Sequence, residues 1–452
     1  MPPVAVLGTG VAGLTAAVGL HEAGMPVIAY EASSRIAGLA TTFRDPDGFS
    51  YDFGAHFITN RLAKAIGVNS QCRDVRYYGE SVLLQGRTYS YPMGLALVPR
   101  FALSALISKI RRRPSESMES SVVEAFSSLY GESLAKEVAI PLVEGWSGEL
   151  GTNLSAAVAD KIPSNLLHVL ALKLAGAWTG KAIAIGYCKE KPAHWKVWHV
   201  YPEGGLAVIC QQLASRFGGE LHLESPIEEI LVESGRVVGI RVKGNRIEVS
   251  AVVSTAPVNH LARLVKGTNT VRHLARFRYR AMVFVNMRFK GRGLLPDVVL
   301  WTPSASLPFF RLTEAPLSMP WLAPEGKTMI TADVGCVVGD ATWSMNDIEL
   351  GDLCVEATNH IISRSKESYL GCTVLRTPFA YPIFRKEYEL ERCRFRDGTG
   401  VQGLYSIGRN GEFDHLLTED VYWRTLSKVP TIIEYLNQEF PAQRMAYRSA
   451  TA

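Results

Sequence analysis

The sequence has no uninterrupted apolar run long enough to cross a lipid bilayer, which takes about 18 residues or more. The nearest candidate, residues 93–110, is interrupted by Pro99, Arg100 and Lys109 among others. A membrane-spanning protein is therefore not expected. Three arginines follow at 111–113, so this segment is either a core helix with a solvated cationic end or a helix that rests on an anionic membrane surface.

Cysteine and net charge are also uninformative as signals of a specific partner. The seven cysteines are scattered and form no CxxC pair, which argues against a disulfide framework and a zinc site, and no metal is expected. A formal charge of +5 on 452 residues is too small to indicate nucleic-acid binding. The first predicted strand begins at Val4 and leaves no room for a signal peptide, so we expect a cytoplasmic protein, with peripheral membrane contact as the one open alternative.

Several catalytic signatures are missing as well. The chain contains no HExxH, GxSxG or Gx4GK[ST] pattern, and no basic stripe with interleaved aromatic residues. Metalloprotease, serine-hydrolase, P-loop and nucleic-acid-binding functions are therefore not indicated.

The most informative stretch that is present covers residues 4–31, VAVLGTGVAGLTAAVGLHEAGMPVIAYE. A short apolar strand is predicted at 4–7, a helix after it, and a second strand at 26–30. Between the first strand and the helix lie three glycines with GxGxxG spacing, namely Gly8, Gly10 and Gly13. In such a unit the first glycine permits a tight turn, the second lets the backbone approach a pyrophosphate, and the third lets helix and strand pack closely.

The neighbouring residues complete a predicted dinucleotide site. The first helical amides, at Val11 and Ala12, are expected to face the phosphates with the positive end of the helix dipole. Glu31, followed by Ala32, ends the second strand and is placed to accept a ribose 2′-hydroxyl. It would repel a 2′-phosphate, so FAD or NAD is favoured over NADP. The alternative is a Rossmann-like unit with no ligand.

The rest of the chain alternates between strand and helix patterns and predicts an α/β fold. Helices are expected near 121–130, 133–142, 165–177, 206–217, 348–364 and 419–440, and strands near 251–255, 281–289, 328–334 and 404–407. This order predicts a Rossmann-type domain built from separated segments, a mixed β-sheet substrate domain and a helical insertion. The predicted boundaries are 1–92, 196–265 and 386–452 for the nucleotide domain, 93–195 for the helical insertion on the substrate side, and 266–385 for the substrate-binding sheet.

The C-terminal stretch 403–425, GLYSIGRNGEFDHLLTEDVYWRT, favours FAD over NAD. It predicts a buried strand, a loop that opens with Gly408-Arg409, and a helix that is capped by Thr418 and starts with acidic residues. A helix N-terminus aimed at a ligand stabilises the negative charge that collects on a reduced flavin. The alternative is an ordinary turn into a C-terminal helix.

Together these stretches resemble the flavoprotein superfamily that includes amine oxidases, protoporphyrinogen oxidase, phytoene desaturases and UDP-galactopyranose mutase. The resemblance runs from Val4 to about Pro430 and implies FAD as cofactor. Residues 35–42, RIAGLATT, are similar to the family's Arg-x-Gly-Gly segment, with Ala37 in place of the first glycine and Leu39 in place of a frequent basic residue. The resemblance implies that this segment contacts the cofactor through Arg35, Gly38, Leu39 and Ala40.

Three further matches carry the resemblance. Residues 51–56, YDFGAH, resemble the family's Asp-x-Gly-x-His turn, which implies that Gly54, Ala55 and His56 lie near the flavin. His56 is then either catalytic or a hydrogen-bonded structural residue. The loop from 408 to 421 is similar to the mutase loop, and Ile227 in SPIEEI matches a strand residue that contacts the adenine. The implied cofactor contacts of this loop are Gly408, Arg409, Leu417, Thr418 and Glu419.

The resemblance implies an oxidoreductase that dehydrogenates a small organic substrate by hydride transfer to flavin N5, with molecular oxygen or another electron acceptor as second substrate. An apolar residue, about Val283, stands where amine oxidases carry a lysine, so the chain resembles the protoporphyrinogen oxidase or desaturase branch more than a simple amine oxidase. Lys290 or Lys327 could still reach the ring. Candidate substrate-side residues are Arg311, Tyr381, Arg376 and Arg385, because arginine suits a planar carboxylate or phosphate. Surface charge and core packing are the alternatives for these four.

Two other functions stay open at this point. One is a mutase-like isomerase that uses reduced flavin on a sugar nucleotide, which the 408–421 loop suggests. The other is a non-enzymatic binder, since the escort proteins of prenylated GTPases share the architecture. The identity of the substrate and the oligomeric state do not follow from the sequence.

Overall fold

The structure is a computed structural model that describes residues 1–54, 57–111, 120–161, 166–363 and 365–441. Within these ranges the chain alternates between strands and helices. The strands are β1 (Val4–Leu7), β2 (Val27–Tyr30), β3 (Thr42–Arg44), β4 (Ser50–Asp52), β5 (Ile58–Thr59), β6 (Cys72–Asp74), β7 (Glu80–Leu84), β8 (Arg87–Ser90), β9 (His199–Pro202), β10 (Glu220–His222), β11 (Ile227–Glu233), β12 (Arg236–Val242), β13 (Asn245–Glu248), β14 (Ala251–Ser254), β15 (Val265–Lys266), β16 (Tyr279–Lys290), β17 (Val299–Trp301), β18 (Arg311–Thr313), β19 (Lys327–Cys336), β20 (Tyr369–Pro382) and β21 (Leu404–Ser406).

The helices carry their own numbering in chain order. They are α1 (Val11–Glu22), α2 (Asn60–Ile66), α3 (Met93–Ala96), α4 (Pro99–Arg111), α5 (Val122–Tyr130), α6 (Glu132–Leu134), α7 (Ile140–Ser147), α8 (Leu166–Thr179), α9 (Ala207–Arg216), α10 (Val258–Leu264), α11 (Ala341–Ser344), α12 (Asp347–Thr358), α13 (Ser365–Ser368), α14 (Glu389–Arg396), α15 (Gly408–Gly411) and α16 (Thr418–Glu439).

A five-stranded sheet in the order β10-β2-β1-β14-β21 forms the nucleotide domain, and all of its pairings are parallel. Its central strands read VAVL and AVVS and are fully buried, as expected for strands covered on both faces. The strands come from widely separated parts of the chain. This confirms the predicted Rossmann-type domain built from separated segments.

The first and last long helices pack against each other beside this sheet. The Cα of Gly19 in α1 lies so near α16 that an added Cβ would be 3.1 Å from a methyl carbon of Val429. Both helices contribute to one buried apolar cluster, which includes Leu14, Val18 and Ile432. The N-terminal unit and the C-terminal tail are thereby held side by side.

The second large sheet has seven strands in the order β20-β16-β19-β18-β17-β7-β8 and is mostly antiparallel. Its long strand β16 pairs with β19 over ten consecutive residues and with β20 on the other side. Helix α12 covers one face through Leu350, Cys354 and Val355. Strands β7 and β8 belong to this sheet although they lie within 1–92, and the domain boundaries stay a prediction.

Three predicted helices differ from the structure. The helix predicted at 133–142 is divided among α6, a π-helical segment (Ala135–Ala139) and the start of α7. The segment 93–110 is divided into α3 and α4, because the ring of Pro99 cannot continue a helix and begins a new one. The predicted helix 348–364 ends at Thr358, whose hydroxyl donates back to the carbonyl of Val355, and Arg364 lies outside the described residues. Over the described ranges, none of the helices combines the length and the apolar character needed to span a bilayer.

One of the two interpretations of this segment was a core helix. The exposure of α4 contradicts that interpretation. Phe101 is buried, but Leu103, Leu106 and Ile110 are 59%, 56% and 77% exposed. The outer face of α4 is therefore apolar and open to solvent. Contact of this face with a membrane surface stays a prediction.

Candidate active site

One continuous cavity of about 1200 Å³ lies between the parallel sheet, the C-terminal loop and the seven-stranded sheet. Its lining combines both ends of the chain with residues of the helical region. From the set of site residues expected from the sequence, the cavity is lined by Gly8, Gly10, Val11, Ala12, Glu31, Ala32, Arg35, Gly38, Leu39, Ala40, Ile227, Arg311, Tyr381, Gly408, Arg409, Leu417 and Thr418. Gly13, Gly54 and Glu419 do not line it, and Ala55 and His56 lie outside the described residues.

The three glycines of the first turn are required for different reasons. A Cβ on Gly8 would lie 2.2 Å from Oγ1 of Thr255, and one on Gly13 would lie 1.8 Å from the carbonyl oxygen of Gly8, so the protein itself excludes side chains there. A Cβ on Gly10 would meet only the carbonyl oxygen of Ala37, at 3.8 Å. The fold therefore leaves the space above Gly10 open at the N-terminus of α1, where a phosphate group is stabilised by the helix amides.

The carboxylate of Glu31 is held at the edge of this turn. Its Oε2 accepts hydrogen bonds from the amide and the hydroxyl of Thr9, at 2.9 and 2.8 Å, and its Oε1 accepts from the amide and the hydroxyl of Ser33, at 3.0 and 2.9 Å. These four hydrogen bonds fix the orientation of the carboxylate. A fixed carboxylate at the end of β2 is suited to accept ribose hydroxyls.

The segment that follows faces the glycine turn across the cavity. Ala37 donates its amide to the carbonyl of Thr9 and has φ of +90°, a conformation that an L-residue with a Cβ adopts at a cost of about 1–2 kcal/mol. Gly38, with φ of +51°, comes so close that its Cβ would be 3.9 Å from Cα of Gly10. Arg35 places its guanidinium 4.9 Å from the ring centre of Phe43. Two glycines thus form opposite walls of a narrow passage.

The C-terminal loop closes the passage from the other side. Gly408 has φ of +80°, and a Cβ there would be 2.7 Å from Cβ of Ala12 in α1. Arg409 lies 4.7 Å from the ring centre of Tyr381, and its Nε has no hydrogen-bond partner among the described residues. Burial lowers the pKa of Arg409, while the phenol of Tyr381 opposes this shift. A buried cation that lines a cavity without a full set of acceptors fits an anionic or electron-rich ligand there.

The start of the last helix differs in detail from the prediction. Thr418 is the first helical residue rather than the cap, and the amide of Leu417 donates to the side chain of Asp420 at 3.2 Å. The side chain of Glu419 turns away from the cavity, where it pairs with Arg61 at 2.6 Å and accepts from the hydroxyl of Thr59 at 2.9 Å. The acidic first turn therefore stabilises the helix and its packing.

The YDFGAH turn is anchored by its aspartate. Asp52 is buried and accepts hydrogen bonds from Thr42 Oγ1 at 2.6 Å and from the phenol of Tyr201 at 2.7 Å. Burial raises the pKa of Asp52 to about 6 against the effect of these two bonds. Gly54 has φ of +84°, and a Cβ there would be 3.1 Å from the ring of Phe284 and 3.3 Å from Nη2 of Arg311. The turn therefore runs directly against the substrate-side strands.

The part of the cavity beyond this turn is a chamber with a mainly apolar and aromatic wall. We call it the substrate chamber; it is lined by Phe53, Glu80, Val82, Tyr91, Leu95, Phe126, Tyr130, Leu134, Val138, Ala139, Leu142, Val143, Trp146, Val158, Trp301, Phe310, Arg311, Arg376, Thr377, Pro378, Phe379 and Tyr381. No lysine from the described part of the chain lines the cavity. A mainly apolar cavity with a few polar groups is the usual form of a small-molecule site.

The charged groups of the chamber are mostly engaged with other residues. The guanidinium of Arg311 forms an ion pair with the buried carboxylate of Asp333. Burial opposes the charged form of Arg311, but Asp333 outweighs it, so the pKa of Arg311 is raised. Arg376 donates to Asp347 at 2.9 Å and to the carbonyl of Met345 at 2.7 Å. Both arginines are therefore oriented by the protein itself.

The remaining candidates lie away from the cavity. Arg385 does not line it and pairs with Glu387 at 2.8 Å. Lys290 and Lys327 face each other at the outer end of the β16–β19 pair and do not line the cavity either. Val283 is buried in the apolar cluster between the sheet and α12. The structure therefore brings none of these side chains to the chamber.

Some cavity residues were not among the predicted ones. Residues 255–257 follow β14, and they could have been predicted, because ligands bind at the carboxyl ends of parallel strands. His415 lies inside the 408–421 loop and packs on the ring of Trp146 at 4.9 Å between ring centres. Glu80 and Trp301 have no such signal, because they are brought together from distant parts of the chain.

Comparisons with known proteins agree with this geometry. The family model of the flavin containing amine oxidoreductases matches residues 11–359. A lycopene-forming phytoene desaturase from Pseudescherichia vulneris is 23% identical over 301 residues, which are 60% of this chain and 59% of that protein, so the match spans less than two thirds of that relative's length.

Solved structures show the same fold. Reduced UDP-galactopyranose mutase superimposes with a TM-score of 0.78 at 18% identity, over 96% of this chain and 94% of that chain. A putative protoporphyrinogen oxidase from Exiguobacterium sp. 255-15 superimposes with a TM-score of 0.72 at 17% identity, over 95% of this chain and 98% of that chain.

A Rossmann-type sheet whose glycine turn and C-terminal loop close on one cavity, with an apolar chamber beside it, defines a flavoprotein with two ligand compartments. The chain belongs to the flavin containing amine oxidoreductase family, whose model covers most of it. Membership of this family supports FAD as the cofactor. The residues fit this cofactor, since the open space above Gly10, the fixed carboxylate of Glu31 and the incompletely bonded Arg409 line the same cavity.

Proposed function

We propose that the chain dehydrogenates a small, mainly apolar organic molecule by hydride transfer to N5 of FAD, as protoporphyrinogen oxidase and amine oxidases do. The observation that supports this is the apolar wall of the substrate chamber, which is continuous with the nucleotide part of the cavity. FAD supplies a two-electron acceptor for a substrate C–H bond. The substrate also releases one proton from a neighbouring N–H, O–H or C–H group to solvent, and molecular oxygen or another acceptor takes up the electrons.

The proposal assigns the cofactor to residues from both ends of the chain. The amides after Gly10 would hold the pyrophosphate and Glu31 the adenosine ribose. Leu417, Thr418 and Arg409 would border the flavin end. Their positions on one cavity support this assignment.

The chain's own residues would act mainly by excluding water and by positioning. Trp146 and Tyr381 pack 5.3 Å apart between ring centres on the chamber wall, and Phe310 lines it as well. Such a wall keeps bulk water from the reacting C–H bond, which suits hydride transfer. We propose Arg311 and Tyr381 as residues that orient the substrate, and His56 as a third candidate from the resemblance.

Mutase-like isomerisation of a sugar nucleotide is supported less well. A diphosphate needs cations that are free to bind it, and arginine is the residue best suited to that role. In the described part of the chamber, Arg311 is paired with Asp333 and Arg376 with Asp347. The chamber therefore offers little positive charge to a second nucleotide.

The test is anaerobic reduction of the purified holoprotein. The pigment is released by heat and identified by mass, and amines, polycyclic precursors, polyenes and sugar nucleotides are then screened for bleaching of the flavin absorbance without oxygen. We expect FAD and bleaching by an apolar compound. Turnover of a sugar nucleotide only after prior reduction of the flavin would support the isomerase instead.

A chamber-filling variant separates substrate binding from cofactor binding. Leu142→Trp adds an indole to the chamber wall, so we expect unchanged FAD content and loss of bleaching. The matched control is Leu174→Trp, at an exposed position of α8, which should behave as wild type. Equal bleaching in both variants would count against the chamber as the substrate site.

A further inference from the structure

A smaller cavity lies on the other side of the C-terminal loop that borders the proposed flavin end. Arg409 and Leu417 of this loop line only the large cavity, whereas Glu412 and Asp414 line only the small one. His415 lines both. The small cavity has a volume of about 370 Å³, and the proposed dehydrogenation does not use it.

Charged side chains surround this small cavity, which we call the polar cavity. They come from the segment before β9, from the end of α14, from the 408–421 loop and from α16. The charged lining residues are the cations Lys189, Arg396, Arg424 and Lys428 and the acids Glu412 and Asp414. The lining therefore carries an excess of two positive charges.

The two acids of the lining are engaged with two of the four cations. Asp414 accepts a hydrogen bond from Nη1 of Arg424 at 2.7 Å, and Glu412 pairs with Nζ of Lys428 at 3.1 Å. Arg424 also pairs with Glu190, which lies outside the lining, at 2.7 Å. Burial alone would raise the pKa of Asp414, but the hydrogen bond and charge of Arg424 outweigh it, so this pKa lies below its usual value. Asp414 is therefore ionised and held in place by Arg424.

Lys189 and Arg396 carry the positive charge that these acids do not balance. In the part of the chain that the structure describes, no ion pair includes Lys189. Arg396 approaches the carboxylate of Asp414 only to 4.0 Å, the outer limit of an ion pair. An anion in the polar cavity would be stabilised by both side chains, and their two charges match those of a dianion.

The size of the polar cavity and its aromatic wall indicate a ligand larger than a bare phosphate ion. One water molecule needs about 10–15 Å³ of such a volume, so a cavity of about 370 Å³ has room for many more atoms than phosphate contains. Phe384 and Phe395 line it beside the charged residues. Their rings offer contact area to an apolar or planar group. A dianion joined to a small organic body fits both features.

We propose that the polar cavity binds a phosphate monoester of a small organic group, with the phosphate at Lys189 and Arg396 and the organic body against Phe384 and Phe395. A phosphate monoester carries close to two negative charges at neutral pH, and its oxygens accept charge-assisted hydrogen bonds from lysine and arginine. The ligand would contact the 408–421 loop from one side, while the large cavity borders it from the other. This site goes beyond the proposed dehydrogenation and does not depend on it.

The test is a calorimetric titration of the FAD-saturated holoprotein with phenyl phosphate, at about pH 8 and at an ionic strength held constant with sodium chloride. FAD occupies the nucleotide site, so the glycine turn is not open to the probe. We expect one phenyl phosphate per chain, with a Kd of about 1 mM or tighter. Benzenesulfonate, which has the ring but only one negative charge, should bind at least about fivefold more weakly. Inorganic phosphate, which lacks the ring, should bind at least about threefold more weakly.

Three results of these titrations would overturn the site. Absence of saturable binding of phenyl phosphate up to about 10 mM would show that the polar cavity is not a ligand site. Equal affinity for benzenesulfonate would contradict the recognition of a dianion. Inorganic phosphate that binds as tightly as phenyl phosphate would contradict the assignment to a monoester.

Paired substitutions locate the binding. Lys189→Gln/Arg396→Gln removes both unbalanced charges and leaves the closer ion pairs of the two acids in place, so we expect phenyl phosphate to bind at least about tenfold more weakly. The matched control is Lys191→Gln/Arg394→Gln, because each of these exposed cations lies two positions from a site residue and does not line the polar cavity. The control should bind phenyl phosphate as wild type does. Wild-type affinity in Lys189→Gln/Arg396→Gln, or an equal loss in both double variants, overturns the site.

Discussion

The carboxylate of Glu31 accepts hydrogen bonds from both the amide and the hydroxyl of Thr9, which lies between the first two glycines of the nucleotide turn. These two hydrogen bonds fix Glu31, at the end of β2, against the turn after β1. The same contact explains why the position of Glu31 does not depend on a bound ligand: four protein donors already fix its two oxygens.

Glu31→Arg should abolish retention of FAD. The substitution removes the acceptor for the ribose hydroxyls and leaves the amide of Thr9 without its partner, and loss of charge-assisted hydrogen bonds costs about 1.5–3 kcal/mol each. The measurement is flavin absorbance per protein after desalting. Glu220→Arg serves as control, because Glu220 is an exposed residue of the neighbouring strand β10 and does not line the cavity. Unchanged flavin content in Glu31→Arg would contradict the proposed nucleotide site.

Gly10→Ala and Gly13→Ala should fail in different ways. At Gly13 a methyl group would collide with the carbonyl of Gly8, so we expect a loss of several kcal/mol of folding free energy. At Gly10 the methyl group meets no protein atom closer than 3.8 Å, so the apoprotein should unfold as wild type does while FAD binds at least about tenfold more weakly. Thermal unfolding of the apoproteins and FAD titration check the pair. Equal FAD affinity of Gly10→Ala and wild type would show that the pyrophosphate does not pass this point.

The sequence was sufficient to predict the nucleotide domain because each of its signals is local. The glycines, the strand 4–7 and Glu31 fall within one short stretch, and the strand at 251–255 has the apolar run of a buried parallel strand. The position of β7 in the seven-stranded sheet has no local signal, because β7 pairs with β17, which lies more than 200 residues later in the chain. No periodicity within either strand specifies that partner.

In the candidate site, too, the residues that could be predicted are those with a local sequence signal. Arg35, Gly38 and the 408–421 loop were predicted from motifs and line the cavity. Ala37 departs from the glycine of the motif and adopts a left-handed conformation, which glycine would adopt without strain. The sequence could not predict that Glu80 lines the cavity, because the surrounding apolar wall is formed by helices that are distant in the chain.

Asp52→Asn should change how stability depends on pH. The folded-state pKa of about 6 lies above the usual value of 3.8, so the folded protein binds the proton more tightly than the unfolded chain does. The contribution of Asp52 to the free energy of unfolding is therefore highest below about pH 4. It falls by roughly 3 kcal/mol as the pH rises through about 6. The variant has no such proton, and its free energy of unfolding relative to wild type should rise over that interval.

Urea unfolding at a series of pH values between about 4 and 7 measures the difference between the two proteins. Other titrating groups, such as the buried His199 with its pKa lowered to about 3, contribute equally to both and cancel. Asp47→Asn, at an exposed acid near the same turn, should leave the profile unchanged. A constant difference between Asp52→Asn and wild type across this range would refute the assigned shift.

The pair of Arg311 and Asp333 allows a structural role to be separated from a role in substrate orientation. Arg311→Leu leaves the fully buried carboxylate of Asp333 without its partner, which should cost about 3–5 kcal/mol of folding free energy. The double variant Arg311→Leu/Asp333→Leu removes both charges and should recover most of that loss, because a buried ion pair is often replaced by apolar residues at little cost. Urea unfolding measures both variants. If Arg311 orients the substrate, the double variant will be stable and hold FAD but will bleach at least about tenfold more slowly than wild type with the compound found in the screen. Bleaching at the wild-type rate would assign Arg311 to the fold alone.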